Sequence, residues 1–346
     1  MSAREAHGSG RGRQTGPWQP PLPPLTDTAD GALRRIGVEL EMIGLDVAEV
    51  SRLVALHTGG ERDECSRYEH VVRGDEAGDW GIELDYRYLQ RRARDDGSDD
   101  EFIARIEDAA ESVLRAGAEA VVPVEVVSPP LPLRRLGDVQ TLIERLRDAG
   151  AQGSGAGLAY AFGMQLNPEL PALDARTIAC YLKAFLCLYD WLEARAAPDI
   201  TRRLTRFSAP FPGAYIQKVV DPGYWPERAA LIDDYLEYNA TRNRALDMLP
   251  LFLYLDEARL RAVVDDPRVK PRPTLHYRLP NCEIDRAGWG VHIAWQDWLQ
   301  VESLAADPER LQALCSRYTE WLARPFDRLL ENWSKEIPAW LPADRP

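Results

Sequence analysis

Little in this sequence points to disulfide, zinc-finger or thiol-redox chemistry. Its five cysteines are an odd number, and no two of them form a Cys-x-x-Cys pair. Cys180 and Cys187, seven apart in an apolar stretch, read as packing residues of a reducing compartment. No apolar run approaches the roughly 20 residues of a membrane-spanning helix. The amino-terminal segment also lacks the apolar stretch of a secretory signal, so the expected location is the cytoplasm, with no membrane partner. Positive charge is short as well: Lys+Arg 42 against Asp+Glu 55 gives a formal net charge of −13. That balance excludes broad attraction to nucleic acid, and an anionic substrate must be met by local arginines. A Gly-x-x-x-x-Gly-Lys-Ser/Thr loop is missing too, which removes the usual backbone cradle for phosphates. The run Gly153-Ser-Gly-Ala-Gly157 precedes a strand pattern rather than a helix and reads as a turn.

What is present is the balance of a globular chain: 346 residues, 45% hydrophobic and 28% charged. Residues 1–30 are rich in Pro, Gly and Arg, bury little, and are expected to be a disordered tail ahead of a body spanning 31–346. Strand patterns appear at 33–43, 67–73, 79–89, 119–127, 158–167 and 272–279. Helix patterns appear at 46–57, 99–116, 134–148, 174–195, 228–246, 256–265, 293–305 and 308–333, so the part beyond about residue 228 is mainly helical. The strongest helix starts at Asp174 as N-cap and carries Ile178, Tyr181, Leu182, Phe185, Leu188, Tyr189 and Leu192 on one stripe. Residues 197–227 combine five prolines with aromatics and the bases Arg202, Arg203, Arg206 and Lys218, the composition of a long functional loop that covers a site. Six of the ten tryptophans lie between Trp289 and Trp340; helix packing explains them, and a subunit interface in a homo-oligomer is the alternative.

The chemistry lies in how the strands divide their faces, since residues two apart point the same way. Ile36, Val38, Leu40 and Met42 oppose Gly37, Glu39 and Glu41; Trp80, Ile82 and Leu84 oppose Glu83, Asp85 and Arg87. Val122, Val124 and Val126 oppose Glu125; Tyr160, Phe162, Met164 and Leu166 oppose Gly163, Gln165 and Asn167. Leu275, Tyr277 and Leu279 oppose Thr274, His276 and Arg278. The Cα atoms of Glu39 and Glu41 are expected roughly 6.6–6.8 Å apart. Carboxylates that close repel unless a cation lies between them, and hard divalent ions take carboxylate oxygens. One Glu-x-Glu is more often a solvated face than a metal site. Recurrence of polar, titratable faces on five strands shifts that balance.

In their order and spacing, the segments Gly37-Val-Glu-Leu-Glu41, Trp80 to Asp85, Glu125-Val-Val-Ser-Pro-Pro130, Phe162 to Glu169, Asn243 to Leu251 and His276-Tyr-Arg-Leu-Pro-Asn281 resemble the amidoligase family of glutamine synthetase-like carboxylate–amine ligases. The resemblance implies an α+β fold with a curved antiparallel sheet, its polar face catalytic and its other face packed by helices. It implies ATP as co-substrate, Mg²⁺ or Mn²⁺ as cofactor, and an acyl-phosphate displaced by an amine, with small-molecule or peptide carboxylates and amines as substrates. On this sequence Glu39, Glu41, Asp85 and Glu125 would hold metal. Arg278, Arg202 and Arg206 would serve catalysis by holding phosphoryl or carboxylate groups. Gln165, Asn167, Arg244 and Lys218 would contact ATP or substrate.

Two departures stand out. Where the family has His-x-His this chain has Gln165-Leu-Asn167, and the Glu of a closing Glu-x-Arg is His276. An exchange of ligand types between strands would make His276 a metal ligand; the alternative is a core histidine and a weakened site. The rival functions are accordingly a non-catalytic nucleotide- or peptide-binding member and a metal-dependent hydrolase.

Overall fold

The computed structural model describes residues 17–85, 122–154, 162–196, 209–324 and 332–342. Its centre is a nine-stranded antiparallel sheet. The strands are β1 (Arg35–Met42), β2 (Glu61–Ser66), β3 (Glu69–Arg73), β4 (Trp80–Leu84), β5 (Val124–Val127), β6 (Leu131–Pro132), β7 (Met164–Pro168), β8 (Leu246–Asp247) and β9 (His276–Tyr277). Their order is β2-β3-β4-β5-β1-β7-β9-β8, with β6 paired to β1. The fold class is α+β, as expected.

The alternation read from the sequence is the packing observed. Ile36, Val38, Leu40 and Met42 are buried to 2% exposure or less, while Glu39 and Glu41 between them stay half-buried. Each such aliphatic side chain taken from water contributes about 1.5–3 kcal/mol. The edge strand β2 was not expected, because every residue of Glu61–Ser66 is exposed and no apolar alternation marks it. It forms through backbone pairing with β3, and its charges blunt the sheet edge.

Helices cover the apolar face. Helix α1 (Val47–Thr58) is capped by Asp46, whose carboxylate accepts from Glu49 N at 2.8 Å, and Gly59 at φ 73° ends it in the left-handed region that favours glycine. It packs on β3 and β4 and on α2 (Leu136–Asp148), and the Ser51 hydroxyl meets His70 Nδ1 of β3 at 2.8 Å. Helix α3 (Ala175–Ala196) has Asp174 at its start, accepting from Thr177 N at 2.9 Å. It is flanked by α4 (Gly213–Val220), α8 (Val291–Ala305) and α9 (Pro308–Leu322). Tyr277 of β9 brings its ring to 6.1 Å from Phe185 of α3 and 5.3 Å from Trp298 of α8, so sheet and helices share one core.

Several boundaries differ from expectation. The segment read as one loop over 197–227 contains α4, and the helix expected to 246 ends at Asn239 as α5 (Arg228–Asn239). The short helices α6 (Leu249–Leu255) and α7 (Glu257–Arg261) follow. The pattern at 308–333 ends at Leu322, with a separate 3-10 turn at Trp333–Lys335. The strand expected over 272–279 narrows to two paired residues, because Pro271, Pro273 and Pro280 interrupt the hydrogen-bond ladder around it. Helix 99–116 and Arg87 lie outside the described residues.

The expected amino-terminal tail also differs over residues 17–30, which lie against the body. Pro21 O accepts from Trp295 Nε1 at 2.8 Å, Leu25 O accepts from Arg34 at 2.7 Å, and the Trp18 ring stands 5.9 Å from His292. Arg34 itself is buried and forms a paired bridge to Glu302, with 2.7 and 2.9 Å contacts. The carboxy-terminal tryptophans are spent on packing: Trp295, Trp298 and Trp333 are fully buried, and Trp333 stacks on Tyr318 at 4.5 Å.

Candidate functional site

The polar face is organised by strand register. Glu41 of β1 stands directly across from Glu125 of β5, and Glu125 stands across from Glu83 of β4. Directly opposed residues share a face with Cβ atoms about 4.5–5.5 Å apart, so three carboxylates form a lateral row. Glu125 is buried, at 2% exposure, and Glu41 and Glu83 are half-buried. Glu69 of β3, exposed, stands across from Glu83 at the row's end, and Asp85 lies two residues beyond Glu83 along the chain: its N–H donates to Pro123 O at 2.8 Å and its side chain is buried. Glu41, Glu83, Asp85 and Glu125 each have a partner within the fold. For Glu41 one partner is Gly163 N, which donates to its carboxylate at 2.8 Å.

One step along the sheet, Glu39 pairs with Gln165 of β7, and Gly37 pairs with Asn167. The Asn167 amide donates to Glu39 Oε1 at 2.8 Å; the Gln165 amide donates to Asn167 Oδ1 at 2.8 Å and lies 2.9 Å from His276 Nδ1. Gln165, Asn167 and His276 are all buried. Burial holds the His276 pKa well below the ordinary imidazole value, and the charges of Arg278, Arg272 and Arg242 add to the effect.

Beyond His276 the face turns basic. Asp247 of β8 stands across from His276 and accepts from Arg278 at 3.0 Å. Asp247 also accepts from Leu249 N at 3.0 Å. Complete burial pushes its pKa up, against the opposing pull of Arg278.

Of the residues expected at a site, Glu39, Glu41, Asp85, Glu125, Gln165, Asn167, His276 and Arg278 therefore lie on one sheet face. Arg244 and Lys218 lie elsewhere. Arg244 donates to Pro210 O at 2.6 Å and Tyr238 O at 2.9 Å, fastening the segment before α4 to α5. Lys218 of α4 pairs with Asp234 of α5 at 2.6 Å. Arg202 and Arg206 lie outside the described residues. Two residues gained importance only here. Glu83 shares the third strand's polar face with Asp85, but its place in the row depends on register. Asp247 sits on a two-residue strand, too short to show alternation.

Among the described residues no group of three or more His, Cys, Asp or Glu side chains is arranged to hold a metal ion. The donor set still suits a hard divalent ion. Mg²⁺ is commonly held by one or two carboxylates with substrate phosphates completing its shell, which needs no closed protein cage. Among the same residues no helix is long and apolar enough to cross a membrane.

The architecture is an open antiparallel sheet with helices on one face and acidic and basic zones on the other. Residues 32–300 match the family described as "Putative amidoligase enzyme", and the chain belongs to that family. No curated protein and no solved structure matches the chain.

Proposed function

We propose that this protein is an ATP- and Mg²⁺- or Mn²⁺-dependent carboxylate–amine ligase, built on a glutamine synthetase-like sheet, that forms an amide or peptide-type bond through an acyl-phosphate. The observation that carries the reading is the zoning of one sheet face. Glu83, Glu125 and Glu41 form an acidic row beside Glu39, and Arg278 lies at the other end of the same face. Family membership supports the amide-forming chemistry.

In this reading Glu41, Glu125, Glu39 and Asp85 hold the divalent ion, which neutralises phosphate charge when bound. Phosphoryl transfer depends chiefly on positioning and charge stabilisation, so carboxylates and arginines suffice without a special nucleophile. Arg278 is held by Asp247 on this face, and a planar guanidinium is suited to two oxygens of a carboxylate or phosphoryl group. The substrate carboxylate attacks the terminal phosphorus, ADP leaves, and the amine then displaces phosphate.

Hydroxylamine traps acyl-phosphates as hydroxamates, so the test is hydroxamate and ADP formation by the purified protein with ATP, Mg²⁺ and a panel of carboxylates. ADP and hydroxamate appearing together support the ligase. ATP binding without either product supports a non-catalytic nucleotide-binding member, a reading motivated by Gln165 and Asn167 standing where the family has His-x-His.

A further inference from the structure

Four side chains form one hydrogen-bonded chain across β1, β7 and β9: Glu39 to Asn167 at 2.8 Å, Asn167 to Gln165 at 2.8 Å, and Gln165 to His276 at 2.9 Å. Its direction is set at one end. An ionised carboxylate only accepts, so the Asn167 nitrogen faces Glu39 and the Asn167 oxygen faces Gln165. The Gln165 nitrogen must then donate to Asn167. It is the same nitrogen that meets His276, so its second hydrogen goes to Nδ1. A ring nitrogen that accepts carries no proton. The neutral His276 therefore bears its proton on Nε2.

That Nε2 is buried and has no hydrogen-bond partner among the described residues. So is the hydroxyl of Thr274, two residues earlier on the same face. The residues are only 5% and 7% exposed. A metal would need a lone pair at Nε2, and this arrangement places a proton there instead. Around the ring the charged groups are Arg278, Arg272 and Arg242, with Asp247 opposite and already engaged by Arg278. Two unsatisfied donors in a positive surrounding call for an anionic acceptor.

We propose that His276 is an Nε2–H donor that, with the Thr274 hydroxyl, receives an oxyanion at the basic end of the sheet, and is not a metal ligand. Glu39 sets this polarity from the acidic end, and a cation bound at Glu39 would keep the carboxylate ionised and the polarity unchanged. The identity of the oxyanion, a substrate carboxylate or the terminal phosphoryl group of the nucleotide, rests on the ligase reading; the tautomer does not.

Nitrogen NMR of the imidazoles in the full chain tests this, with His276→Gln assigning the signal. The ligand-free protein should show the proton on Nε2, and a proton on Nδ1 would overturn the proposal. Glu39→Gln can donate to Asn167 and let both amides reverse, so it should populate the Nδ1–H form; an unchanged tautomer removes the role of Glu39. Mg²⁺ alone should leave both ring nitrogens unshifted, whereas a metal-bound shift restores His276 as a ligand. Inorganic phosphate and succinate are then titrated separately. The probe that perturbs Nε2–H names the source, and no perturbation by either overturns oxyanion binding. His276→Ala should weaken the effective probe about tenfold, as expected for a lost hydrogen bond to a charged group, while His276→Gln keeps most of its affinity because its amide can still donate. Equal affinity in His276→Ala and the wild type would also overturn it. Oxyanion binding at His276 without any ATP-dependent hydroxamate would sink the ligase reading and leave this one standing.

Discussion

Arg278 and Asp247 meet at 3.0 Å across β9 and β8, with the Asp247 side chain wholly buried and that of Arg278 16% exposed. The pair lies at the basic end of the face, Asp247 in β8 and Arg278 directly after β9. Removing Asp247 takes a buried charged acceptor from the guanidinium and from Leu249 N. Asp247→Ala should lower unfolding free energy by about 1.5–3 kcal/mol, the range for a lost hydrogen bond to a charged group, read by urea denaturation. Asp247→Asn, which keeps a hydrogen-bond acceptor, should cost less. Equal losses in both variants would show that the charge, not the bond, matters.

The acidic row predicts a large effect on binding and a small one on stability. Glu41 and Glu125 face each other across neighbouring strands, and each also has a partner within the fold. Glu125→Gln keeps the shape of the side chain and removes one of two facing charges, so the metal-free thermal midpoint should change by no more than a few degrees. Calorimetry should find Mg²⁺-dependent ATP binding weakened about tenfold or more, the loss of one charged ligand contact. The Glu39→Gln/Glu41→Gln pair should abolish it. Undiminished binding in the double variant would remove the row from the site.

Three histidines set an acid limit. Burial lowers the pKa values of His276, His57 and His292, with neighbouring arginines adding to it. A depressed folded pKa stabilises the protein above the unfolded value of about 6.5 and loses that stability as pH falls toward the folded value. The thermal midpoint should therefore begin to drop just below about pH 6.5, before carboxylates protonate. Asp247 runs the other way: its raised pKa favours the folded state at low pH and the benefit is lost as pH rises through it. His276→Gln should flatten the decline, as measured by thermal melts across pH. A profile identical to wild type would mean that His276 takes no part.

The docked segment 17–30 should matter to the body. Deleting residues 1–25 removes the acceptors of Trp295 Nε1 and one Arg34 nitrogen, together with the Trp18 ring beside His292. A buried guanidinium loses an acceptor in the process, so the thermal midpoint should fall by several degrees. An unchanged midpoint would mean that water replaces these bonds without cost. The Pro-rich composition had suggested a free tail because proline, glycine and arginine bury little. Carbonyls that proline leaves unpaired are nevertheless good acceptors for buried Trp and Arg donors, a relationship visible only with both partners placed.

What the sequence determined is everything that has a local period. Alternation at period two separated Ile36, Val38, Leu40 and Met42 from Glu39 and Glu41, and the helical stripe with Asp174 as cap marked α3, because each side chain's direction follows from its neighbours' backbone geometry. Strand β2 and the two-residue strand β8 carried no such signal: exposed charges have no period, and two residues are too few to show one, whereas β9 lay inside the alternation at 272–279. The tertiary structure alone decided which strands adjoin and in what register. Pairing is a contact between distant segments, and a slip of one residue would turn every side chain to the other face. Register made a row of Glu83, Glu125 and Glu41, set Asp247 against Arg278, and joined Glu39 to His276 through Asn167 and Gln165. The residue types were legible in the chain; the direction of the hydrogen bonds between them, which places a proton on His276 Nε2, existed only once the strands were side by side.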